Sequence, residues 1–193
     1  MEKYNFNEVG INQVGKIKLK DKVYVTDPCY GTDVWCMKYI DNIAPGEYVC
    51  FIKVSDEGTW GHRVSELHVV KESFLRASDE DLNEIPYDNE PLSCVIGVDS
   101  GQCGIFDADY YEEHQPDDDY DNLNSWYRKV CELTYHAGIT DGLGVATASG
   151  YGDGSYPLFV AEEEDKIVAM KIVFIEFEED EDNDFCSSDA PEE

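Results

Sequence analysis

Basic residues are scarce in this chain, which has 14 Lys and Arg against 43 Asp and Glu among its 193 residues and a formal net charge of −29. A field of this sign repels the phosphates of nucleic acids and anionic membrane surfaces. We therefore expect no direct nucleic-acid binding and no membrane binding. Much of the negative charge lies in three runs, at residues 79–90, 107–121 and 178–193, which are most simply interpreted as solvated loops and a tail.

Long apolar runs and paired cysteines are also missing. No apolar stretch approaches the roughly 20 residues that span a bilayer, and the opening MEKYNFNEVG lacks the basic start and apolar stretch of a signal peptide. An odd number of cysteines without a C-x-x-C pair argues against a disulfide framework and a zinc cage. We expect a cytoplasmic protein in which all seven cysteines are reduced: Cys29, Cys36, Cys50, Cys94, Cys103, Cys131 and Cys186.

Hydrophobic residues make up 42% of the chain and aromatic residues 12%, enough to build a packed core. No Gly/Ser-rich linker or internal repeat divides the chain. We therefore predict one β-rich domain over residues 1–177 and an acidic, disordered tail over residues 178–193.

The apolar pattern predicts mainly strands. In residues 15–26, GKIKLKDKVYVT alternates on both sides of Asp21-Lys22 and predicts a hairpin. Short β-type runs follow: EYVCFIKV, RVSELHVV, SCVIGVD, CGIFD, GVATAS, YPLFVAE and KIVAMKIVFIEF. Eight or nine such strands indicate an all-β or β-dominated fold, either an antiparallel sandwich or a partly closed barrel. DADYYEEH and DNLNSWYRKVCELT predict one or two short helices, and Asp121 is expected to cap the start of the second.

Three polar segments stand at the ends of predicted strands, at residues 26–30, 98–107 and 149–157. In the third, SGYGDGSYP, Asp153-Gly154 suits a two-residue hairpin turn, so turn chemistry alone accounts for this segment. Alternatively, the strand ends meet and form a ligand site. A divalent cation would then be held by Asp27, Asp99, Asp107 and Asp153, and a small molecule would contact Asp27, Tyr30, Asp99, Ser100, Asp153 and Tyr156.

Catalytic motifs are not recognisable. TASGYG is not a G-x-S-x-G nucleophile elbow, and no P-loop or strand-to-helix G-x-G-x-x-G is present. Hydrolytic chemistry would have to use isolated residues whose mutual distances a sequence does not give. The candidate nucleophiles are Cys29, Cys103, Ser100 and Ser149, and the candidate bases are His62, His68, His114 and His136.

The order of the polar segments provides a family resemblance. Asp27-Pro28, a P-G-x-Y turn at residues 45–48, V-D-S-G at residues 98–101 and S-G-x-G-D-G-x-Y-P at residues 149–157 follow one another along the chain. In this order they resemble a mainly bacterial family known only as domain of unknown function number 4241. The resemblance covers about residues 15–177 and implies no activity, because the family has no assigned chemistry.

Three functions are compatible with these observations. The first is a binding or interaction module for an unknown protein or small molecule, with its site where the polar segments meet. The second is a small hydrolase that uses the same residues. The third is an acidic decoy that inhibits a nucleic-acid-binding protein, which would require carboxylates in regular rows on a folded face.

Overall fold

The computed structural model describes residues 8–35, 37–75, 82–114, 125–131 and 137–176. In these residues the chain forms two antiparallel sheets packed as a sandwich, with no closed barrel. The prediction of a β-dominated antiparallel sandwich is confirmed. Strands are numbered in chain order. The six-stranded large sheet runs β1 (Gly10–Leu19), β4 (Gly46–Asp56), β5 (His62–Lys71), β11 (Lys166–Val173), β10 (Gly154–Glu163) and β6 (Ser93–Val98).

The five-stranded small sheet runs β3 (Lys38–Ile40), β2 (Val23–Thr26), β7 (Gln102–Asp107), β9 (Gly144–Ala148) and β8 (Gly138–Thr140). Two short helices, α1 (Ala108–Glu113) and α2 (Trp126–Cys131), confirm the helical predictions. Asp121, which was expected to cap the second helix, lies outside the described residues. None of the helices in the described part of the chain is long and apolar enough to cross a membrane.

The main core lies between the sheets because strand side chains alternate between two faces. On β4, Tyr48, Cys50 and Ile52 point inward and are fully buried. Val49 and Phe51 point the other way and join a second apolar cluster on the outer face of the large sheet. The apolar side chains of β4 are therefore covered on both faces of the sheet, which explains the nearly continuous apolar run within EYVCFIKV.

The outer faces of both sheets are also covered by apolar clusters. Phe106, Tyr110, Tyr111, Trp126 and Val130 form an aromatic cluster over the small sheet. Residues 74–75 and 82–87 lie over the large sheet, where Leu82 is buried and Phe74, Leu75, Ile85 and Tyr87 are partly buried.

The predicted hairpin over residues 15–26 is wrong. β1 pairs with β4, whereas β2 pairs with β3 and β7, so the chain passes from one sheet to the other at Asp21. The backbone N–H of Lys20 donates to the Asp107 carboxylate at 2.9 Å, which fixes this corner against the small sheet.

The sequence-predicted tail at residues 178–193 lies outside the described residues, as do residues 79–81 and 115–121 of the other acidic runs. The predicted domain boundary and the decoy hypothesis, which depends on rows of carboxylates, stay predictions. Cys29, Cys50 and Cys103 are thiols in the structure.

Candidate ligand sites at the motif junction and on the outer sheet face

The three polar segments meet at one end of the sandwich, which we call the motif junction (residues 26–30, 98–101 and 149–156). Asp27 directly follows β2, residues 99–101 connect β6 to β7, and residues 149–153 connect β9 to β10. The N–H groups of Asp99 and Ser100 donate to the Asp27 carboxylate. The N–H of Ser149 donates to the carbonyl of Gly101 at 3.1 Å.

Asp27 is the connector of this junction. It is 0% exposed, and both carboxylate oxygens accept hydrogen bonds. Oδ1 accepts from the Cys29 N–H at 2.9 Å and from the Ser100 hydroxyl at 2.7 Å. Oδ2 accepts from the N–H groups of Asp99 at 2.9 Å and Ser100 at 2.8 Å. Four protein donors thus satisfy this buried carboxylate, as a buried charge requires.

The SGYGDGSYP segment is held by its own hydrogen bonds. The Tyr156 hydroxyl donates toward the carbonyls of Gly152 at 2.7 Å and Ser149 at 3.1 Å, and the Ser149 hydroxyl donates to the Gly152 carbonyl at 2.8 Å. Asp153-Gly154 is not the predicted two-residue hairpin turn, because β9 and β10 belong to different sheets and Gly154 begins β10. The left-handed conformations lie instead at Gly150 and Gly152, with φ of 57° and 116°.

The four carboxylates of the predicted cation site do not form one cluster. Asp99 and Asp153 are exposed and lie just beyond the paired residues Val98 and Gly154. The Tyr30 hydroxyl donates to Asp99. Asp107 pairs with Val23 at the far end of β2, about 13 Å along the strand from Asp27.

Asp107 instead accepts the N–H of Tyr110 at 3.4 Å and caps the start of α1. Across the described parts of the chain, no group of three or more His, Cys, Asp or Glu residues is placed to hold a metal ion.

Two exposed aromatic rings lie beside the junction. Trp60, 67% exposed, and Tyr151, 56% exposed, make an edge-to-face contact with ring centroids 6.3 Å apart. The Tyr151 hydroxyl donates to the Glu57 carboxylate, which fixes the ring at the tip of the β4–β5 hairpin. Exposed rings in a fixed arrangement are typical of contact surfaces rather than of cores.

A cavity of about 390 Å³ lies on the outer face of the large sheet. Its floor is formed by β5, β10 and β11, and one wall is the segment around residues 82–89. We call it the outer-face cavity. It is lined by Glu66, His68, Leu82, Ile85, Pro86, Tyr87, Asp88, Asn89, Phe159 and Lys171.

A hydrogen-bonded chain crosses the cavity floor. Glu66 accepts from Lys53 Nζ on Oε1 at 2.9 Å, and its Oε2 lies 2.7 Å from His68 Nε2. His68 Nδ1 lies 3.0 Å from the Tyr87 hydroxyl. The arrangement fits a neutral His68 that donates from Nε2 to Glu66 and accepts the Tyr87 O–H on Nδ1.

The ionisation of these groups follows from their burial. Burial lowers the pKa of His68 below its usual 6.5, because it outweighs the attraction of Glu66. Burial alone would raise the pKa of Glu66, but the hydrogen bonds from His68 and Lys53 reverse this and lower it to about 2. Burial raises the pKa of the Tyr87 hydroxyl. The floor at neutral pH therefore holds a carboxylate, a neutral imidazole and a neutral phenol.

Lys171 is the remaining polar group of the floor. Its Nζ lies 4.8 Å from the ring centroid of Tyr87 and 4.9 Å from that of Phe159. Burial lowers the pKa of this half-buried ammonium group. Among the described residues it has no hydrogen-bond acceptor and no ion-pair partner.

Apart from the candidate base His68, the residues of this cavity were not among the site residues predicted from the sequence. Glu66 and His68 alternate within RVSELHVV, so both lie on one face of β5 with Val70. Two polar residues at positions i and i+2 of an apolar strand were a usable signal. Their partners Tyr87 and Lys171 come from distant segments of the chain. The apolar residues near Tyr87 stand within the acidic run at residues 79–90, so no apolar pattern is visible there in the sequence.

The family assignment covers both candidate sites. A family model described as "Protein of unknown function (DUF4241)" matches residues 20–172, which include the motif junction and every residue that lines the outer-face cavity. No curated protein and no solved structure matches the chain. The match covers well over half of the chain, and the protein therefore belongs to the DUF4241 family.

Proposed function

We propose that this protein is a binding module for small molecules and that its ligand occupies the outer-face cavity. The observation that carries the proposal is the half-buried Lys171 ammonium group, which faces a cavity of ligand size without a hydrogen-bond partner among the described residues. Ligand sites typically have volumes of roughly 300–1,000 Å³ and combine apolar walls with a few fixed polar groups.

The polar groups of the floor are held in place before any ligand binds. Phe51, His68, Lys171 and Phe159 form one row across four neighbouring strands. The hydrogen bonds from Glu66 and Tyr87 fix the His68 ring from both sides. Preorganised groups lose little conformational freedom on binding, which favours affinity.

Binding is better supported than hydrolysis at this cavity. Both nitrogens of His68 already have partners, so neither is available to activate a nucleophile. None of the residues that line the cavity is a Ser, Thr or Cys. The second hypothesis from the sequence, a small hydrolase, gains no support here.

Binding can be tested by two-dimensional NMR of the ¹⁵N-labelled protein with a library of small fragments. Fragments that bind are expected to shift the amide signals of Glu66, His68, Tyr87 and Lys171. The signals of Asp99 and Tyr151 at the motif junction serve as the control. If fragments shift only the junction signals, or if no fragment binds, the outer-face cavity is not the ligand site.

A second candidate function is a protein contact surface at the motif junction. Trp60 and Tyr151 are fixed there in an exposed pair beside the acidic Glu57 and Asp153. Aromatic faces and carboxylates together favour a partner that presents Lys or Arg side chains.

Tryptophan fluorescence tests this second function. Titration with a peptide rich in Lys and Arg should quench or shift the emission, and Trp60→Ala should weaken binding. The control is Trp35→Ala, which removes another exposed Trp from a different loop. Equal binding by both variants and wild type would contradict a specific surface and indicate a general attraction to net negative charge.

A further inference from the structure

We propose that the outer-face cavity selects small organic anions, specifically a carboxylate on an apolar or aromatic body. This inference rests on the cavity being the ligand site. The cavity departs from the acidic character of the rest of the chain, because Lys171 lines it and Lys53, which lies outside the lining, pairs with the Glu66 carboxylate. In a protein with a net charge of −29, a cavity at which Lys53 and Lys171 balance the carboxylates of Glu66 and Asp88 is a specific feature.

The existing hydrogen bonds determine which group is left for a ligand. Glu66 is engaged by Lys53 on one oxygen and by His68 on the other. His68 and Tyr87 are engaged with each other. Among the residues described, the ammonium group of Lys171 has two ring contacts and a longer-range attraction to Glu66, but no hydrogen bond and no ion pair. A carboxylate oxygen would complete its hydrogen bonding with a charge-assisted bond.

The walls determine the rest of the ligand. Leu82, Ile85, Pro86 and Phe159 provide the apolar part of a lining that also exposes much polar surface, so the part of the ligand that contacts these four residues should be apolar. A cationic ligand is disfavoured because it would approach Lys171 while the Glu66 oxygens are occupied. Asp88 and Asn89 are exposed at the rim, where solvent weakens the repulsion of an anion by Asp88.

A matched pair of probes tests this selectivity. Calorimetric titration of the wild-type protein with 3-phenylpropanoate and with its neutral amide compares two ligands of nearly equal shape. The acid is expected to bind about tenfold more tightly than the amide, the factor that one charge-assisted hydrogen bond provides. Equal affinity, or tighter binding of the amide, overturns the proposal of anion selectivity and leaves small-molecule binding in place.

Two substitutions locate the effect. Lys171→Met should reduce the affinity for the acid to that of the amide and leave amide binding unchanged. The control Lys166→Met removes an exposed lysine from the same strand and should leave both affinities unchanged. If Lys171→Met is poorly folded, the comparison of acid and amide on wild type still decides the question. If neither probe binds wild type at millimolar concentration while the fragment library gives cavity ligands, anion selectivity alone fails; if nothing binds, the small-molecule function fails with it.

Discussion

At the scale of single residues, Asp27 shows how a polar residue can resemble a ligand-binding residue and still act within the fold. Its carboxylate joins the end of β2 to the turn between β6 and β7, two segments that are 72 residues apart in sequence. No water is needed to satisfy it, because four donors of the protein surround it. A sequence pattern does not distinguish this internal use of a carboxylate from binding of an external ligand.

Asp27→Asn is therefore expected to destabilise the protein by about 2–4 kcal/mol, because the amide NH₂ would face N–H and O–H donors that lose their acceptor in a buried site. Urea denaturation measures the change in free energy of unfolding. The matched control is Asp153→Asn at the exposed end of the same junction, where a change within about 0.5 kcal/mol is expected. Equal stability of Asp27→Asn and wild type would show that the connector is dispensable.

His68 predicts a pH dependence of stability. Its pKa in the folded protein lies below the usual 6.5, so the unfolded chain takes up a proton first as the pH falls. The stability from neutral His68 is therefore fully present above pH 6.5 and is lost as the pH falls below it. Glu66, whose pKa is lowered to about 2, adds a second loss as the pH falls below 4.5.

Urea unfolding of wild type and His68→Gln between about pH 8 and about pH 5 tests this assignment. The variant should lack the loss of stability that begins near pH 6.5, whereas the control His62→Gln, at an exposed position, should retain it. An unchanged pH profile in His68→Gln would mean that another group is responsible.

At the scale of secondary structure elements, the small sheet depends on two positions without a side chain. The buried Phe106 ring lies over Gly104 and Gly144 on the strands β7 and β9. A Cβ atom at Gly144 would overlap this ring and would lie 2.7 Å from the Thr140 hydroxyl. The glycines thus let one aromatic side chain lie flat against the sheet.

Gly144→Ala should cost about 1–3 kcal/mol of stability through overpacking, measured by urea denaturation. Shortening the ring in the double variant Gly144→Ala/Phe106→Leu should restore about 0.5 kcal/mol or more relative to the sum of the single changes. Strict additivity would indicate that the two residues do not compete for the same space.

Local sequence patterns predicted the positions of the strands better than they predicted which strands pair with each other. All nine β-type runs correspond to strands, and the added strands β3 and β8 have only three residues each, too few to show a period of two. The polar segments meet as expected, because each stands at a strand end. The predicted hairpin at Asp21 was wrong, because β1 and β2 belong to different sheets. Apolar and polar residues alternate on both sides of a corner between two sheets just as they do on both sides of a hairpin turn, so the sequence pattern does not distinguish the two.

The outer-face cavity required information that no local pattern holds. Lys171 pairs with His68 across about a hundred residues of sequence, and Tyr87 reaches His68 only because its segment folds back over the large sheet. Which strands pair over such long sequence distances depends on how all the strands of the sheet fit together, and a local stretch of sequence does not contain this information.

At the scale of the whole molecule, negative charge is poorly compensated. With 43 acidic against 14 basic side chains, most carboxylates have no cation to pair with. The surface ion pairs Lys16–Glu72 and Lys20–Asp109 contribute little. Repulsion among the acids therefore opposes the compact state.

Raising sodium chloride from about 20 mM to about 500 mM should increase the free energy of unfolding by about 1 kcal/mol or more, because salt screens this repulsion. Thermal and urea unfolding provide the measurement. Potassium chloride is expected to act equally. At matched ionic strength, calcium, magnesium or manganese should add nothing further. A stabilisation specific to one divalent cation would instead support a cation site among the four carboxylates predicted from the sequence, Asp27, Asp99, Asp107 and Asp153.

The place of β11 in the large sheet has a consequence for synthesis. It is the last strand of the described chain, yet it lies between β5 and β10 in the middle of the sheet. On the ribosome, β1, β4 and β5 emerge early with one edge uncovered, and β10 and β6 have no bridge to them until residues 166–173 leave the exit tunnel. The nascent chain thus carries an open strand edge from the completion of β5 until β11 is added, a state that is prone to aggregation.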